Sequence, residues 1–115
     1  MAHAYQLLKN NGIPESQIIH MAYDDIAESP YNTVPGKMFN VPNGPNVYDY
    51  DSIDYRGDDV NVDTFTHVMT GDKRNFDGPV LESDANSKVF MFFADHGAPG
   101  FVQFPTGEYL YADKL

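Results

Sequence analysis

The residues of this chain best suited to chemistry stand together at Asp95-His96-Gly97, directly after the apolar run Val89-Phe90-Met91-Phe92-Phe93-Ala94. Histidine exchanges protons near neutral pH, because its unperturbed pKa is about 6.5, and so serves as a general base or acid. Gly97 has no side chain to obstruct a substrate carbonyl, and its backbone N–H suits an oxyanion hole. The same residues also suit a purely structural turn, since His-Gly alone has little specificity.

Other chemistries are weaker. The 115 residues include no cysteine, which excludes disulfides, thiolate metal sites and a cysteine nucleophile within this stretch. The acidic series Asp49, Asp51, Asp54, Asp58 and Asp59 suggests calcium, but an EF-hand loop counted from Asp49 has Ile53 and Asp54 at its fifth and sixth positions, where an oxygen ligand and Gly are needed. It reads as a solvated acidic face. Arg56-Gly57-Asp58 spells a short adhesion tripeptide that recurs by chance. His3, His20 and His67 lie on separate elements without an i, i+4 pairing, so a metal-dependent hydrolase lacks ligands beside His96. His20 reads as a packed histidine.

The elements that must position Asp95-His96-Gly97 follow from pattern. Val89 to Ala94 lacks polar alternation, the signature of a strand buried on both faces in a mostly parallel, helix-covered sheet. In such sheets ligands lie beyond the carboxyl ends of the strands, where Asp95-His96-Gly97 would stand. Ala2 to Asn11 predicts a helix with Ala4, Leu7 and Leu8 on one face, and Gln17 to Tyr23 a strand ending in Asp24-Asp25. Residues 28–60 form a loop-rich stretch containing Pro30, Pro35, Pro42 and Pro45. A second helix begins near Asn61, with Asp63 as its expected N-cap and Phe65, Val68 and Met69 on its apolar face, and ends at Gly71. Phe101–Phe104 and Tyr109–Tyr111 flank Pro105-Thr106-Gly107-Glu108 as a hairpin, and Ala112 to Leu115 could start a further helix.

Length allows one domain and not two. Apolar residues make up 42% of the chain, and no apolar run approaches the roughly 18 residues a membrane helix needs. A net charge of −10 opposes binding to nucleic acid, whose phosphates call for a basic footprint. Met1-Ala2-His3-Ala4-Tyr5 leads into a helical pattern rather than a signal peptide.

Several motifs run in order along nearly the whole chain: His3-Ala4-Tyr5-Gln6, Asn11-Gly12-Ile13-Pro14, Met21-Ala22-Tyr23-Asp24-Asp25-Ile26-Ala27, Pro35-Gly36-Lys37-Met38-Phe39-Asn40, Pro42-Asn43-Gly44, Asp54-Tyr55-Arg56-Gly57-Asp58-Asp59-Val60 and Asp95-His96-Gly97. In these the chain resembles the legumains, the asparaginyl endopeptidases. The related transamidase that attaches glycolipid anchors shares some of these segments, but usually has Gly before the histidine, where this chain has Asp95.

The resemblance implies a caspase-like α/β/α fold with a mostly parallel sheet and a cysteine endopeptidase that cleaves after Asn and less readily after Asp. His96 matches the family's catalytic histidine, Gly97 the oxyanion-binding N–H, and Asp95 the aspartate that in some members cyclises to a succinimide. Ala98-Pro99 departs from the small polar residues usual after His-Gly. The resemblance implies no cofactor and no metal, peptide or protein substrates, and a lysosomal, vacuolar or secreted location. It also places the nucleophilic Cys, a first strand and most of the specificity pocket outside these residues. Residues 1–115 are therefore expected to form a single incomplete peptidase domain, inactive alone and prone to self-association. The competing readings are a non-catalytic acidic binding domain and an inactive homologue.

Overall fold

The computed structural model describes residues 1–74 and 77–115. Helix α1 spans Ala2–Asn10 and buries Ala2 and Tyr5, while Leu7 is half exposed. The buried stripe is thus rotated from the one expected at Ala4, Leu7 and Leu8. The Tyr5 ring sets the new face, because an aromatic buries more area than a leucine and stacks on His20. Asn11 ends the helix with its backbone and side-chain amides both donating to the Leu7 carbonyl.

Strand β1, Met21–Ala22, pairs in parallel with β2, Tyr55–Arg56, in the register Met21↔Tyr55 and Ala22↔Arg56. The strand expected over Gln17–Tyr23 is confined to its end: Glu15–Gln17 is a 3-10 turn and only two residues form the ladder. β2 lies inside the stretch read as loop, and Tyr55 there is buried. Side chains give the rest of that stretch its order. Asn32 Nδ2 donates to the Ala27 and Lys37 carbonyls, and Asn46 Oδ1 accepts from the N–H of Met38 and of Tyr48. Such Asn side chains replace the missing ladder bonds, so a long irregular segment satisfies its backbone.

Helix α2 spans Val62–Thr70. Its N-cap is Asn61, whose Oδ1 accepts from Thr64 N at 2.9 Å; Asp63 sits in the first turn instead. Gly71 closes the helix at φ 68°, a left-handed cap that favours glycine. Beyond it Leu81 N donates to the Val68 carbonyl, and Tyr55 OH donates to the Pro79 carbonyl at 2.7 Å. Gly78 permits this approach, since a Cβ there would lie 2.6 Å from the Tyr55 hydroxyl oxygen.

Strands β3, Gly97–Ala98, β4, Phe101–Val102, and β5, Leu110–Tyr111, form an antiparallel sheet in that order. The expected hairpin is β4–β5, with Phe101↔Tyr111 and Val102↔Leu110. Residues Ala112–Lys114 make a turn, not the start of a helix. Val60, Phe65, Phe104 and Leu110 form the core, with Met21, Val62, Met69, Phe93 and Val102 packed against it. The hydrophobic contact therefore runs between α2 and the antiparallel sheet.

The fold is thus mixed α/β with one parallel pair and one antiparallel sheet. The main departure from expectation is the apolar run. Val89, Phe90, Met91 and Phe92 are exposed, at 51%, 73%, 47% and 48%, and the segment forms no ladder among the described residues. Only Phe93 reaches the core, meeting the Phe104 ring edge-on at 5.3 Å. A strand needs at least one partner to form a ladder, whereas here an open groove of about 1330 Å³ separates the run from β1. Among the described residues no helix is long and apolar enough to cross a membrane.

Candidate functional site

Asp95, His96 and Gly97 stand where the exposed apolar segment turns into β3, and all three are exposed. Asp95 Oδ1 accepts from the His96 N–H at 2.7 Å. That contact folds the carboxyl group back onto the following peptide nitrogen. The His96 carbonyl accepts from Gln103 N at 2.9 Å, which extends the β3–β4 ladder by one rung.

The rung determines where the Gly97 N–H points. In an antiparallel pair the bond between Gln103 N and the His96 carbonyl brackets Gly97↔Val102 as a non-hydrogen-bonded pair. The Gly97 N–H is therefore directed away from β4, off the outer edge of the sheet. A side chain at this position would be crowded, because a Cβ on Gly97 would lie 3.0 Å from the Phe101 carbonyl oxygen. A donor facing outward beside an imidazole can bind an anionic oxygen while the ring moves a proton.

A second polar group lies at the carboxyl ends of β1 and β2, and the sequence showed only part of it. Asp24 adopts φ 66°, rare for a non-glycine, and its side chain is only 9% exposed. Its Oδ2 accepts from Tyr48 OH at 3.0 Å and faces Arg56 Nε at 3.3 Å. The Arg56 contact is a charge pair without hydrogen-bond alignment. Burial, followed by the bond to the Asp24 carboxylate, pushes the Tyr48 phenol up to about 12. The Arg56 guanidinium also lies over the Tyr50 ring, 3.7 Å from its centre, and donates to the Tyr50 carbonyl. Arg56 is thus turned into the fold and engaged on three sides, which leaves the Arg56-Gly57-Asp58 tripeptide poorly suited to adhesion. The acidic pair after β1 was legible in the sequence; its tyrosine and arginine partners, from residues 48–56, were not.

His20 is buried in the joint between α1, β1 and the turn Tyr50–Ser52. The His67 Nδ1 lies 2.7 Å from the Asp63 carbonyl on its own helix. Among the described residues no group of three or more His, Asp or Glu is gathered to hold a metal ion.

Comparison with known proteins agrees with the motif pattern. The profile of the Peptidase C13 family matches residues 1–115. This chain belongs to the peptidase C13 family. Hemoglobinase of Schistosoma mansoni is 49% identical over 115 residues, covering 100% of this chain and 26% of that protein. The vacuolar-processing enzyme of Citrus sinensis is 42% identical over 118 residues, covering 100% of this chain and 24% of that protein. Mouse (Mus musculus) legumain is 46% identical over 110 residues, covering 92% of this chain and 25% of that protein. The chain thus spans about a quarter of the length of these relatives.

Proposed function

We propose that this chain is the histidine-bearing part of a legumain-type cysteine endopeptidase that hydrolyses peptide bonds after Asn and less readily after Asp. The observation that carries the reading is the C13 match along residues 1–115 together with the outward N–H of Gly97 beside His96. In the proposed reaction His96 takes the proton of a cysteine thiol supplied by the rest of the protein. The thiolate attacks the carbonyl carbon, and the Gly97 N–H donates to the resulting oxyanion. His96 then gives its proton to the leaving amine as the C–N bond breaks, and water hydrolyses the thioester. The 2.7 Å contact between Asp95 Oδ1 and His96 N favours the reading in which Asp95 closes to a succinimide, since that ring joins the same side chain to the same nitrogen.

Substrates are then peptides and proteins. The names of the relatives favour a vacuolar or lysosomal setting. Residues 1–115 act in this reading as one incomplete domain. The test is His96→Ala in a longer protein that carries this segment and its cysteine, assayed on a fluorogenic peptide containing Asn. Loss of the base that activates a thiol should cut turnover by about a thousandfold or more. Near-normal hydrolysis would remove His96 from the mechanism and favour a non-catalytic Asp95-His96-Gly97 turn.

A further inference from the structure

The described residues hold one buried histidine that the proposed chemistry does not use. His20 is 4% exposed and sits where three elements meet. Its ring stacks on Tyr5 of α1, with centroids 5.3 Å apart and an interplanar angle of 15°. Its Nδ1 lies 3.2 Å from Ser52 Oγ in the turn before β2. Its backbone N–H donates to Asp54 Oδ2 at 2.8 Å, and its carbonyl accepts from Asp54 N at 2.8 Å.

The Ser52 hydroxyl decides which ring nitrogen carries the proton. That hydroxyl donates to the Asp49 carbonyl at 2.7 Å, so toward His20 it accepts, and Nδ1 is the protonated nitrogen. Nε2 then holds a lone pair, and it is buried with no hydrogen-bond partner. An unpaired acceptor there is tolerable, but protonation would create a donor without an acceptor and a charge sealed from water.

We propose that His20 is an acid-sensitive latch that holds helix α1 on the β1–β2 pair and releases it when the ring is protonated. The added proton at Nε2 finds a partner only if the ring swings toward water, and that movement gives up the Tyr5 stack and the Ser52 bond together. The charged groups around it decide how strongly acid acts. Burial opposes protonation most, and the α-amino group of Met1 at the start of α1 adds to it, while the hydrogen bond to the Ser52 backbone, Asp54 and Asp24 favour it. Tyr5 and Ser52 are neutral at these pH values. Desolvation outweighs the carboxylates and pushes the ring below the usual histidine range. A lowered folded-state value means that stability is complete above the unfolded value of about 6.5 and falls as the pH drops through it.

The test is amide hydrogen exchange of a longer C13 protein that carries this segment, and of its His20→Gln variant, at pH 7.5 and 5.0. After correction for intrinsic rates, α1 protection in the parent should fall about tenfold relative to α2, while His20→Gln should show less than about a twofold change. Equal loss of α1 protection in both proteins would overturn the latch. Should His20→Gln not fold, the imidazole carbon-bound protons of the parent give a second reading by NMR. A midpoint below about 6.5 that coincides with loss of α1 protection supports the latch, and a midpoint at or above that value overturns it.

Discussion

At Gly97 a single missing side chain serves two purposes. The proposed oxyanion contact uses an unobstructed N–H, and any Cβ would lie 3.0 Å from the Phe101 carbonyl oxygen. Gly97→Val is therefore expected to cost stability as well as turnover, by about 1–3 kcal/mol, because the β3–β4 pair must spread to admit the branch. Urea denaturation measures the first effect and an Asn-peptide assay in the longer protein the second. Tyr48 makes an independent prediction. With burial and the Asp24 bond raising its phenol to about 12, its contribution is fully present below the unfolded value near 10 and is lost as pH rises from there through 12. Absorbance at the phenolate band should show a late-titrating component that loses one tyrosine in Tyr48→Phe, a variant destabilised by about 1 kcal/mol. Asp95, His96 and Gly97 stand as the candidate site on residue types alone, because a histidine and a glycine ending an apolar run is a sequence-level signal. The direction of the Gly97 N–H was not, since it depends on the β3–β4 register.

Helices and the hairpin were legible because their signals are local: a spaced apolar stripe, an αL glycine after α2, and a Pro-Thr-Gly-Glu turn between aromatic runs. β2 and β3 were not. Tyr55-Arg56 sits among aspartates and Gly97-Ala98 has no β-forming side chain, so pairing with β1 and β4 creates these strands. The capping residue of α2 gives a test at this scale. Asn61 bonds Thr64 N with its oxygen and the Asp58 carbonyl with its amide, whereas Asp63 contributes only its charge near the helix start. Asn61→Ala should cost about 1 kcal/mol and Asp63→Ala only a few tenths, as read from thermal or urea unfolding. The reverse order would return the cap to Asp63.

Across the molecule, the apolar run 89–94 and the edge of β1 that is unpaired among the described residues face one another over an open groove. Exposed strand edges with apolar side chains pair with whatever strand is available, so the 115-residue chain is expected to associate at micromolar concentration and to unfold with low cooperativity. A monomer by sedimentation, with slow amide exchange in both edges, would show that the groove closes on itself. The sequence marked 89–94 as a segment needing cover on both faces, and it could not specify the cover. In the proposed reaction the same division of labour applies. His96 is here and the thiol it would deprotonate is not, since none of the 115 residues is cysteine; the hydroxyls of Thr106 and Tyr109 are far weaker acids than a thiol of pKa about 8.5. The purified chain should therefore leave a fluorogenic Asn-containing peptide uncut from about pH 4 to 7, where the longer C13 enzyme is expected to cleave it in a manner blocked by iodoacetamide. Cleavage by the 115-residue chain itself, persisting through repurification and iodoacetamide, would mean that another nucleophile is at work and would contradict the assignment of His96 to a cysteine peptidase.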